Sequence, residues 1–154
     1  MGQCIGEAIE IEESEMGLVF AEIELVSGDD LALNRHGYIL EDKIRCCTVR
    51  AMVSSGATML AIPIHVSKQL DLPKIGQIEA ELADGSVGFY DVVEPVEIRF
   101  SNRQTSVEAL VIPGTTKTLL GAIPMEGMDV LIDPQCKRLL VNPDSPNVAK
   151  MMLM

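Results

Sequence analysis

Apolar and polar residues alternate along much of this chain, and the alternation predicts its elements. Val19, Ala21, Ile23 and Leu25 share one side of a period of two, with Glu22 and Glu24 on the other. Charges on one face and aliphatics on the other predict a half-buried strand. Ser27-Gly28-Asp29-Asp30 breaks the pattern, and residues 31–42, without a clean period, are expected to form a long loop. A strand resumes over 44–53, with Val49, Ala51 and Val53 on one face. The small residues Ser54-Ser55-Gly56-Ala57 interrupt it, and Thr58 to Ile62 is an apolar run short enough for a buried strand. Pro63 then opens a short helix, where its missing N–H is harmless. Val66 and Leu70 lie four apart on one face of that helix, and Leu72-Pro73 ends it.

Residues 78–82 and 87–93 flank Ala83-Asp84-Gly85-Ser86 and predict a hairpin, because the Gly of Asp-Gly accepts positive φ. Pro95 is expected to bend or bulge the next strand. Val96, Ile98 and Phe100 alternate with Glu97 and Arg99, and residues 105–112 return as the partner strand. Leu119-Leu120-Gly121-Ala122 leads into a short helix over 123–128. A last hairpin joins 130–132 to 138–141 around Asp133-Pro134-Gln135. Residues 1–15 are acidic and weakly patterned, an N-terminal arm or an edge strand, and the tail over 144–154 is expected to fray. Many short strands, frequent turns and one or two short helices define a mostly β domain over 16–143.

Composition narrows the function classes. Hydrophobic residues make up 47% of the 154, with 3% aromatics and no Trp, so the core is built from Val, Ile, Leu, Met and Ala. The net charge of −11 repels nucleic acid and anionic membrane surfaces, both of which need clustered Lys and Arg. Cys4, Cys46, Cys47 and Cys136 contain no C-x-x-C pair, and His36 and His65 do not complete a zinc set. No metal and no cofactor is expected, and the cysteines read as small thiols in a reducing compartment. The first residues lack the basic start and apolar run of a signal peptide, and no apolar stretch approaches a membrane span, so a cytoplasmic location is expected.

Three features fall in a telling order: the turn Ser54-Ser55-Gly56-Ala57, the hairpin tip Ala83-Asp84-Gly85-Ser86, and the apolar-apolar-glycine run Leu119-Leu120-Gly121-Ala122. Together they resemble the retropepsin-like aspartic proteases, and among those the small single-lobe prokaryotic members. The neighbouring run Met59-Leu60, the segment Ile123-Pro124-Met125-Glu126 and the segment Asp129-Val130-Leu131-Ile132-Asp133-Pro134 add to the likeness, which spans about residues 16–143. The resemblance implies a small closed β-barrel whose first motif is the catalytic turn. The second motif is then a flap over the substrate, and the third a strand supporting the turn. It also implies a homodimer acting on an extended peptide or protein, each subunit giving one carboxylate.

The catalytic position departs from the family pattern. Residue by residue, the carboxylate falls at position 54, which is Ser54. A serine hydroxyl does not ionise near neutral pH, whereas the chemistry needs two carboxylates sharing a proton across a water. Peptidase activity is therefore expected to be lost. An engineered inactive variant and a natural pseudoprotease both fit, as does a peptide-binding module. A serine nucleophile lacks support: there is no G-x-S-x-G elbow, and neither histidine sits in a partner motif. Asp84 and Asp133 are expected to be solvated turn residues rather than substitute carboxylates.

Overall fold

The computed structural model describes residues 18–153; the expected N-terminal arm over 1–15 lies outside them. The chain enters as β1 (Val19–Ser27), α1 (Gly28–Arg35) and β2 (Cys46–Val53). It continues through β3 (Leu60–Pro63), α2 (Ile64–Leu70), β4 (Lys74–Glu81), β5 (Val87–Phe100) and β6 (Arg103–Ile112). β7 (Thr118–Leu120), α3 (Ala122–Met128), β8 (Val130–Asp133) and β9 (Arg138–Val141) complete it.

One sheet runs β1-β2-β7-β3-β6-β5-β4, and a further β1–β5 pairing closes six of its strands into a barrel. Mostly β character and the small closed barrel are thus both present. Closure depends on the length of β5. Its later half pairs with β1 from Val96 to Arg99, while its earlier half pairs with β4 from Val87 to Val93. Between the halves the register against β6 shifts, from Val93 to Val96, where Pro95 stands. The expected bulge therefore marks where the β4–β5 hairpin leaves the barrel.

Alternation fills the interior. Ile23, Leu25, Leu60, Ile62, Leu70, Ile98, Leu120 and Met128 are fully buried aliphatic or thioether side chains. Val66 and Leu70 are the buried residues of α2, as their spacing predicts.

α1 is a correction, since a loop was expected there. Ser27 is its N-cap, with Oγ accepting from the Asp30 N–H at 3.2 Å, and Asp29 and Asp30 sit in the first turn, where the helix dipole favours carboxylates. No apolar face holds it; its one buried residue is Asp30, whose carboxylate accepts from the Arg45 N–H at 2.9 Å. Hydrophobic periodicity cannot see a helix anchored by a carboxylate. There are therefore three α-helices among the described residues, not one or two.

Of the tail expected to fray, residues 145–150 are held to the domain, while Met151, Met152 and Leu153 are exposed. Ser145 is buried, and Asp129 accepts from the Asn142 amide at 3.0 Å, the Ser145 hydroxyl at 2.5 Å and the Lys150 N–H at 2.9 Å. Asn102 donates to the Pro146 carbonyl at 2.8 Å, and Arg103, its side chain 1% exposed, donates to the Ser145 carbonyl. Cys46 and Cys47 are free thiols, but Cys136 is disulfide-bonded, against the reading of four thiols. Among the described residues no helix is long and apolar enough to cross a membrane.

Candidate functional site

The turn over 54–58 lies between β2, which ends at Val53, and β3, which starts at Leu60. β7 runs between these two strands. It is parallel to β2, with Val53 opposite Leu120, and antiparallel to β3, with Ala61 opposite Leu119. The strand entering the turn and the strand leaving it are thus both stitched to one distant segment.

Hydrogen bonds fix the turn from both sides. The Ser54 N–H donates to the Leu120 carbonyl at 3.0 Å, and the Ala57 N–H donates to the Ser54 carbonyl at 3.3 Å. The Gly56 N–H donates to Ser54 Oγ at 3.3 Å. On the far side the Ala122 N–H reaches the Ala57 carbonyl at 2.7 Å, and the Ile123 N–H reaches the Thr58 carbonyl at 2.9 Å. Gly121 has no room for a side chain: a Cβ there would lie 2.5 Å from the Met59 carbonyl oxygen and 2.8 Å from that of Ala57. Close backbone approach is the physical reason for this glycine.

The result is a rigid backbone under an accessible tip. Ser55 and Gly56 are exposed, Ser54 and Ala57 are half-buried, and Leu120 beneath them is fully buried. The structure therefore brings Ser54, Ser55, Gly56 and Ala57 together with Leu119, Leu120, Gly121 and Ala122. It also adds Thr58, Met59 and Ile123, whose backbones complete the support. These three lie in the segments that carry the likeness, but apolar periodicity does not mark them as support, because their partners are remote in sequence.

The tip Ala83, Asp84, Gly85 and Ser86 forms the predicted hairpin turn and is wholly exposed. Gly85 takes φ +87°, the Gly85 N–H donates to the Leu82 carbonyl at 2.9 Å, and the Leu82 N–H donates to the Ser86 carbonyl at 2.8 Å. The Ser86 hydroxyl and N–H both donate to Asp84, at 2.6 and 2.9 Å, and hold its carboxyl below the usual carboxylate range. All of these bonds are internal to the hairpin, and none ties it to the Ser54 turn.

The alternative catalytic partners sit elsewhere. His36 caps the end of α1, and His65 is exposed on α2. Asp133 accepts from the Gln135 and Cys136 N–H groups at 3.0 and 3.3 Å, a turn role. No hydrogen bond joins any of them to Ser54. Among the described residues, no group of three or more His, Cys, Asp or Glu is placed to hold a metal ion.

A family model described as aspartyl protease matches residues 41–123, more than half of the 154-residue chain, and the chain belongs to that family. The match takes in the Ser54 turn, the hairpin and β7. No curated protein matches the chain.

Proposed function

We propose that this protein is a homodimeric, retropepsin-like member of its family in which Ser54 occupies the place of the catalytic carboxylate, leaving the dimer unable to hydrolyse peptide bonds. The observation that carries this reading is the position of Ser54. It begins the tight turn that β7 and Gly121 hold from behind, and its hydroxyl accepts from the Gly56 N–H. The described residues contain one such turn, so a pair of facing groups requires two chains. Two carboxylates at close range share one proton, one acting as base toward water and the other as acid toward the carbonyl oxygen. Two serine hydroxyls supply neither role. Losing a single general acid–base group commonly costs about 10²–10⁴-fold, and the substitution removes both.

Ser54→Asp tests this directly. The Gly56 N–H that meets the Ser54 hydroxyl is in place for a carboxylate oxygen. The Ser54→Asp dimer is expected to cut peptides between about pH 3 and 7, the range in which a carboxylate dyad shares a proton. A transition-state-like hydroxyl inhibitor is expected to block it. If the Ser54→Asp dimer cuts no member of a peptide library in that range, the reading is wrong.

A second reading is favoured by the open edge of β4. Among the described residues β4 is hydrogen-bonded on one side only, to β5. An extended peptide can add there as a further strand, held by backbone hydrogen bonds without being cut. Micromolar binding of an extended peptide to the Ser54 protein, with Ser54→Asp showing no hydrolysis, decides for this module.

A further inference from the structure

A cavity of about 440 Å³ lies where α2 meets the base of the β4–β5 hairpin. Its volume is that of a small-molecule site. Its lining includes no residue of the Ser54 turn and none of 119–122. Leu72 and Val93 on its lining are buried, and Val111 is half-buried. Above them stands Phe89, which lines the cavity from the hairpin and is 71% exposed. In a chain with only 3% aromatics, a phenyl ring left in water beside an apolar recess is an unsatisfied contact surface.

The charges on the rim have an uneven balance. Lys74 pairs with Asp91 at 3.2 Å, and Asp91 also accepts from the Gln77 amide at 3.0 Å. That carboxylate is therefore engaged. Lys68, on the α2 side of the same cavity, forms no ion pair among the described residues. Among the described residues, this protein of net charge −11 thus presents a largely apolar recess whose uncompensated charge is positive.

We propose that this cavity is a binding site for a small aromatic carboxylate, its ring between Phe89 and the Leu72–Val93–Val111 surface and its carboxylate on Lys68. An ammonium–carboxylate contact beside an apolar surface is stronger than one in open water, because the ring excludes solvent from one side. The ring of the ligand gains offset or edge-to-face contact with Phe89. Since Phe89 belongs to the hairpin and Lys68 to α2, an occupant bridges the two elements and restrains the hairpin at its root. The site is independent of what Ser54 does, and the test uses the protein with Ser54 in place.

The probe is 2-naphthoate, followed by amide resonances of the full chain, with 2-naphthylmethylamine as the cationic control of the same ring. Saturable shifts are expected at Ser67, Lys68, Phe89 and Val111. Lys68→Glu is expected to weaken the affinity by about tenfold or more, reversing the charge contact. Phe89→Ser is expected to weaken binding of the acid while leaving the fold unchanged, since the ring is on the surface. The proposal is overturned if no saturable shift appears at millimolar 2-naphthoate. It is equally overturned if the amine shifts the same amides as strongly, or if Lys68→Glu binds the acid as tightly as the parent.

Discussion

Asp129 accepts hydrogen bonds from the Ser145 hydroxyl, the Asn142 amide and the Lys150 N–H, with the Arg103 guanidinium 3.9 Å away. These donors, the Ser145 hydroxyl foremost, lower its pKa from 3.8 to about 2. They favour the ionised form, which is the form the folded state requires. The contribution to stability is complete above the ordinary value of 3.8 and is lost as pH falls through about 2. Asp84 and Asp91 are lowered too, by Ser86 and by Gln77 with Lys74, and act in the same direction. The urea midpoint is therefore expected to be level near neutrality and to fall on acidification below the ordinary carboxylate range. In Asp129→Asn the midpoint is expected to be lower at pH 7 and its acid dependence shallower. An unchanged acid slope in that variant removes Asp129 as the cause. Gly121 makes a second residue-scale case. The atoms a Cβ would strike are main-chain carbonyl oxygens of the turn, which cannot rotate away. Gly121→Ala is expected to lose about 1–3 kcal/mol in urea unfolding, the usual cost of overpacking. A loss within error of zero would show that the turn relaxes freely.

The elements separate what a single chain reveals from what it conceals. β1, β2 and α2 were legible because their apolar residues repeat with the period of the element and face one core. β8 and β9 were legible from the turn residues between them. α1 was not, because Leu31 and Leu33 form no buried stripe and the helix is secured through Ser27 and the buried Asp30. The signal that could have found it was the cap, Ser27 followed three residues later by Asp30. β4 starts at Lys74 rather than at the predicted residue 78, since Gly76 and a register shift between Lys74 and Gly76 blur its alternation. Ser27→Ala tests the account of α1: it is expected to cost about 1 kcal/mol, the usual worth of an N-cap side chain. Chemical shifts of residues 28–35 are the matching readout, and full helical shifts with unchanged stability would contradict it. The Ser54 turn itself was legible through its small residues and its likeness to a known motif. Its support was not, because which strand lies between β2 and β3 is a long-range pairing without a local signature.

For the whole molecule, the closed barrel was implied by resemblance, and the periodicities alone reached only a mostly β domain. Barrel closure rests on the extra length of β5 beyond its bulge, which reads in the sequence as an interrupted strand. Two chains of net charge −11 must approach each other to form the proposed dimer. Their mutual repulsion is screened by salt. Sedimentation equilibrium is expected to show tighter dimerisation at about 0.5 M than at about 0.02 M salt, as the Debye length shrinks. A protein that stays monomeric at micromolar concentration in both would sink the shared-site reading.

The position of β7 has a consequence for how the protein is made. As the nascent chain leaves the ribosome, β2, the Ser54 turn and β3 emerge before β7, yet the backbone atoms that fix the turn belong to residues 120–123. Until that stretch arrives, the Ser54 N–H and the Ala57 and Thr58 carbonyls have only water for partners. Insertion of β7 between two strands already synthesised is a non-local step of the kind that slows folding. A chain truncated before Thr118 would therefore contain every residue of the turn and still have no organised site, so the birth of the site is timed by the synthesis of residues 118–123 rather than by its own codons.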